Sequence, residues 1–178
     1  MLSRAIDPAR DTTLLPTILT RHAQIQKIVT AVRTRSPIPE TSGKVRKATS
    51  AAEFDAILAS ASHVVVDFYA DWCPPCRAIA PVFSELAEKH ASEGALAFVK
   101  LNVDHVTDVA SRYSVSAMPT FMFFENGEPK GVAVEGLGAR PSVSPTADGL
   151  VDRVRGADRV ALQAVIQAVA GQAGKEDE

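Results

Sequence analysis

At 178 residues, 46% hydrophobic and 22% charged, the chain has the make-up of an ordinary globular protein, long enough for one domain with extra segments or two small domains. A net charge of −2 gives no basis for holding nucleic acid or an anionic membrane, and no apolar run approaches the roughly 20 residues that cross a bilayer. Two cysteines exclude a disulfide framework, and the N-terminus lacks the apolar core of a secretory signal, so a reducing, intracellular setting is expected.

In chain order, Leu14, Leu15, Ile18, Leu19, Ile25, Ile28, Val29 and Val32 predict an amphipathic helix within an N-terminal extension over residues 1–43. A short strand is expected over Val45 to Thr49. Ser50 and Glu53 then form a capping box ahead of Phe54, Ile57 and Leu58 at helical spacing. Residues 64–70 read as a strand buried on both faces. From Cys76 onward, Ile79, Val82, Phe83 and Leu86 mark an amphipathic helix, with a kink expected at Pro81. Further elements follow: a strand over 95–104, a short helix over 107–113, and a strand over 120–127 running into the Asn126-Gly127 turn. Residues 130–149, rich in Gly, Pro and Ser, carry no motif and read as a flexible inserted loop, which the fold should survive losing. The last strand is placed at 150–156 rather than at 131–137, because the closing helix marked by Val160, Leu162, Val165, Ile166 and Val169 follows it directly. Helices alternating with strands, then a hairpin, describe an α/β fold with a mixed central sheet flanked by helices on both faces.

The chemistry is concentrated in "HVVVDFYADWCPPCR", residues 63–77. A zinc site needs four ligands, yet there is no third cysteine and the four histidines are scattered, so no metal is expected. Two inert buried thiols would be oddly placed at a strand-to-helix junction. A redox pair accounts for more. Cys73 would sit at a helix N-terminus, where unpaired N–H groups and the dipole favour thiolate. Cys76, one turn on, lies on the same face and can attack a mixed disulfide formed at Cys73.

The sequence here resembles the thioredoxin family. The resemblance rests on "VVVDFYADWCPPC", on "FVKLNVD", on "YSVSAMPTFMFFENG" and on "VRGAD" with its following helix, and it covers roughly residues 44–128 and 150–171. It implies the thioredoxin fold over 44–178 and protein disulfide reductase activity. By that resemblance Cys73 is the attacking thiol and Cys76 the resolving one, Asp67 is a buried carboxylate that relays the proton of Cys76, and Lys100 tunes Asp67. Pro119 matches the family's cis-proline, beside which the backbone of Met118 would pair with an extended substrate. Trp72, with Pro74 and Pro75, and Gly156 would belong to the docking surface. The implied partners are disulfide-containing proteins and an NADPH-dependent thioredoxin reductase. No bound cofactor, nucleic acid or membrane is implied, and the protein is expected as a monomer.

Three features depart from the family's usual pattern. Proline stands at position 74 in place of the usual glycine, so Pro74 and Pro75 together remove two donors that could face the Cys73 sulfur and leave chiefly the N–H of Cys76. Similar "WCPPCR" centres occur in tryparedoxin-like and nucleoredoxin-like reductases, an alternative within the same chemistry. A redox-inactive docking or holdase module on the same fold is the alternative from another class. The second departure is the N-terminal extension, with six Lys/Arg against three acidic residues. It partly matches a mitochondrial transit peptide, although Asp7 and Asp11 count against that, and it reads equally as a partner-binding helix. The compartment is therefore either cytoplasm or mitochondrial matrix. The third departure is the inserted 130–149 stretch.

Overall fold

The computed structural model describes Ile38 and residues 42–176, and the helix expected over 14–32 lies outside the described residues. Among the described residues, seven strands and four helices follow in the order β1 (Val45–Ala48), α1 (Ala51–Leu58), β2 (His63–Tyr69), α2 (Pro74–His90), β3 (Leu96–Asn102), α3 (Thr107–Arg112), β4 (Thr120–Glu125), β5 (Glu128–Pro129), β6 (Val143–Pro145), β7 (Val151–Arg155) and α4 (Arg159–Glu176). The strands form one sheet in the order β1-β3-β2-β4-β7-β6, with β5 paired to β4. The first three run parallel, while β4 is antiparallel to both β2 and β7. The sheet is thus mixed and clad by helices on both faces, as the alternating pattern predicts and as the resemblance implies.

Alternation along the strands divides the core in two. Val65, Leu96, Phe98, Phe121, Phe123 and Val154 point to one face and are covered by α2 and α4 through Ile79, Phe83, Leu162 and Ile166. Val64, Val66, Phe68, Val99, Leu101, Met122 and Phe124 point to the other and are covered by α1 and α3 through Phe54, Ile57 and Val109. Every residue of β2 is buried, because this strand is central and clad on both faces. That is why it reads as an apolar run, interrupted after His63 only by Asp67.

Local signals act as expected in most places. Ser50 caps α1 by accepting the Glu53 N–H at 3.2 Å, but Glu53 reaches back one residue beyond the usual partner, accepting from the N–H and hydroxyl of Thr49. The helix α2 is continuous through Pro81. Packing also reaches upstream of Lys44. Ile38 is buried in a small cluster with Tyr69, Ala70, Cys73 and Cys76, and the Ser42 hydroxyl donates to Glu88 at 2.6 Å.

The final strand falls at Val151–Arg155, where the spacing to the closing helix places it. The 130–149 segment differs from the flexible loop expected. Val132 is 2% exposed and exchanges two backbone hydrogen bonds with Val151, at 2.8 and 3.0 Å. Residues 143–145 add a strand to the outer edge of β7, and Val134, Leu137 and Val143 pack against the core. Gly131 is required here by space, since a Cβ would stand 2.9 Å from that of Leu150. The alternation of 131–137 is real, but it serves an edge contact with Val151 rather than the final strand, and the surrounding Gly, Pro and Ser content masked that.

Candidate active site

Strand β2 ends at Tyr69, and four residues later the chain enters α2 with Cys73 as its N-cap. Cys73 adopts an extended conformation, and its sulfur accepts the N–H of Cys76 at 3.1 Å. The two cysteines form a disulfide with Cα atoms 5.3 Å apart. Pro74 and Pro75 occupy the first helical positions, where their missing N–H groups break no helical bond. Both are exposed, while Cys73 and Cys76 are 2% and 0% exposed. The donor left to the sulfur is thus the one the double proline leaves available.

Asp67 lies on β2 between Val65 and Tyr69, on the sheet face covered by α2, and is 4% exposed. Its Oδ1 has no hydrogen-bond partner. Burial pushes the carboxyl up to about 7, against the opposing effect of the Lys100 ammonium. Register brings the two together, since Asp67 pairs with Lys100 across β2 and β3. The Lys100 ammonium also stands 5.9 Å from the Tyr69 ring centroid, so the same aromatic ring packs with the disulfide and faces the cation.

Trp72 is 43% exposed, and its indole N–H donates to Asp104 at 2.7 Å. The backbone N–H of Asp104 donates in turn to Asn102, whose amide donates to Asp71 at 3.0 Å. This chain of bonds orients the indole beside the thiols. The Met118-Pro119 peptide is cis, and Met118 packs with the cysteine cluster. Gly156, at φ 75°, donates its N–H to the Pro119 carbonyl at 2.8 Å. That left-handed conformation favours glycine. Cys73, Cys76, Trp72, Met118, Pro119 and Gly156 thus converge at the end of the sheet where β2 finishes, with Asp67 buried just beneath and Lys100 half-buried beside it. Tyr69, Asp104, Asn102 and Ile38 were not singled out from the sequence. Asn102 and Asp104 lie within the quoted "KLNVD" run, but only the fold shows what they hold. Among the described residues no three His, Cys, Asp or Glu side chains are grouped to hold a metal.

A dithiol at the N-terminus of a helix, a buried carboxyl under it and a cis-proline beside it define a thiol–disulfide oxidoreductase. The chain belongs to the thioredoxin family, whose profile, described as Thioredoxin, matches residues 45–144. A thioredoxin-like protein of Fusarium culmorum is 52% identical over 101 residues, covering 57% of this chain and 82% of that protein. The solved thioredoxin of Malassezia sympodialis is 32% identical with a TM-score of 0.56, over 72% of this chain and 92% of that one. Mitochondrial thioredoxin 3 of Saccharomyces cerevisiae, in its oxidised form, is 28% identical with a TM-score of 0.53, over 69% of this chain and 93% of that one. The protein is a disulfide reductase whose redox centre is the Cys73–Cys76 pair.

Proposed function

We propose that the two cysteines have unequal roles in reducing protein disulfides. The Cys73 thiolate attacks a substrate disulfide, a Cys73–substrate S–S bond forms, and one substrate thiolate leaves. The Cys76 thiolate then attacks the Cys73 sulfur, closing the internal disulfide and releasing the second substrate thiolate. Two electrons have passed to the substrate. Asp67, poised near neutrality, takes the proton that Cys76 loses, and Lys100 with Tyr69 sets how readily it does so. The Met118 backbone pairs with the extended substrate beside Pro119, while Trp72, Pro74, Pro75 and Gly156 frame the docking surface. An NADPH-dependent thioredoxin reductase restores the dithiol.

The observation that carries the assignment is the placement of Cys73. Its sulfur caps the helix and receives the Cys76 N–H, so negative charge is favoured there, while Cys76 is fully enclosed one turn on. Cys73→Ser should abolish insulin reduction, and Cys76→Ser should trap substrates as mixed disulfides, seen as adducts on non-reducing gels. Trapping by Cys73→Ser alone would reverse the roles.

The likeness to a mitochondrial thioredoxin supports a mitochondrial setting, with residues 1–43 as the import segment. Residues 1–43 fused to a fluorescent protein should then direct it to mitochondria. Diffuse cytosolic signal would instead favour the cytoplasm and a partner-binding role for this segment.

A further inference from the structure

Next to the substrate-docking loop, the end of β7 and the start of α4 form a basic rim backed by the inserted segment. Register places Arg155 opposite Thr120, the residue after Pro119, and the Gly156 N–H is bonded to the Pro119 carbonyl. On its other side the Arg155 N–H donates to the Ser142 carbonyl at 2.7 Å. The turn over 140–143, closed by the Val143 N–H on the Arg140 carbonyl at 3.1 Å, therefore stands at the same end of the sheet as the cis-proline.

Asp158 fixes this turn to the start of α4. It caps α4 by accepting the Ala161 N–H at 3.0 Å, and it also accepts the Ser142 hydroxyl at 2.6 Å and Arg140 Nη1 at 3.2 Å. Burial alone would raise its carboxyl, but the Ala161 N–H, the Ser142 hydroxyl and Arg140 together hold it below the usual range. Its charge is thus spent inside the rim. Arg155 and Arg159 are exposed and make no ion pair with any described residue, and Arg159 opens α4, where the helix dipole adds to the positive potential. The opposite flank, beyond Trp72, carries Asp71 and Asp104. Arg77 also stands on that flank, donating to the Asp71 carbonyl at 3.2 Å, so the Trp72 side sets its cation among carboxylates, whereas Arg155 and Arg159 stand without an ion-pair partner among the described residues.

We infer that Arg155 and Arg159, buttressed by Asp158 and by Arg140 and Ser142 of the inserted segment, favour disulfides flanked by acidic residues on the Gly156 side. This deepens the reductase reading and rests on it. A substrate strand lying along Met118 and Pro119 passes the basic rim as it leaves the site, so acidic side chains there meet complementary charge and speed encounter.

The test uses the full chain, pre-reduced and mixed with two peptides that contain the same internal disulfide, one with acidic and one with basic flanks. Uncharged 2-hydroxyethyl disulfide serves as the third substrate. The acidic peptide should react about five-fold or more faster at low salt, and the preference should collapse toward unity near 0.5 M salt, where the Debye length is only a few ångströms. In Arg155→Glu/Arg159→Glu the preference should vanish or invert, with the uncharged disulfide reduced at the wild-type rate. Equal rates for the two peptides, with 2-hydroxyethyl disulfide still reduced, would overturn this inference and leave the reductase reading intact. Failure to reduce 2-hydroxyethyl disulfide at all would overturn both.

Discussion

Strand β2 and the 130–149 segment belong to the same sheet and are held by different forces. Each residue of β2 is buried, and its backbone is bonded to β3 on one side and β4 on the other. The inserted segment has a three-residue strand at the edge, one buried valine and a turn secured by the Asp158 carboxylate. The centre offers low dielectric and fixed geometry, which can hold a carboxyl such as Asp67 near neutrality. The edge has neither, but it borders the docking loop without touching the thiols. Chemistry is therefore built where the sheet is rigid, and partner choice is built where a new strand can be added at small cost to the rest.

The sharpest way to break the comparison is to remove the charge problem at the centre. The folded-state pKa of Asp67 is raised from 3.8 to about 7, so the folded protein binds the proton more tightly than the unfolded chain. Stability therefore falls as pH rises from about 4 to about 7, and is level above that. With a shift of about three units, Asp67→Asn should stabilise the oxidised protein by on the order of 4 kcal/mol at pH 8 and by little at pH 4. Denaturant midpoints at the two pH values check this. A pH-independent difference would mean that Asp67 is not buried as an acid. Cys76 resolution in the same variant should slow, since the proton acceptor is gone.

A smaller effect is expected at the edge, and its size separates a core strand from a loose insertion. Val132→Ala removes buried methyl groups from the main core cluster and should cost about 2 kcal/mol, read from urea unfolding. Deleting 131–148 should then destabilise the domain, in contrast to the neutral outcome expected from a flexible loop. No change in the Val132→Ala midpoint would return the segment to that description.

The smallest effect returns to the helix start. Pro74→Gly offers the Cys73 sulfur a second N–H beside that of Cys76. The thiolate absorbance of the reduced protein should then titrate at lower pH by about a few tenths of a unit. An unchanged curve would mean that the donor at position 74 does not face the sulfur.

Much of the centre was legible from the chain alone, for a physical reason. A strand buried on both faces must be apolar throughout, so residues 64–70 announced themselves, and the single carboxyl within them stood out. A cysteine pair one helical turn apart carries its geometry in its spacing, and the double proline states which donors are missing. The capping box at Ser50 is similarly local, because it answers a requirement of the backbone within three or four residues.

What the sequence left undecided depends on partners far along the chain. Lys100 beside Asp67 came only from the resemblance; what makes them neighbours is the parallel register of β2 with β3, and Tyr69 faces that lysine for the same reason. Trp72 is oriented by Asp104, 32 positions away, and Ile38 finds its place only against residues around the disulfide. Val132 lies in the alternating run 131–137, which loses to 150–156 as the final strand on its distance from the closing helix, and only its bridge to Val151 shows that it is buried against that strand. Local composition records what the backbone needs nearby. Which side chains meet across strands is decided only when the sheet is assembled, and both the tuning of Asp67 and the basic rim beside Gly156 arise at that step.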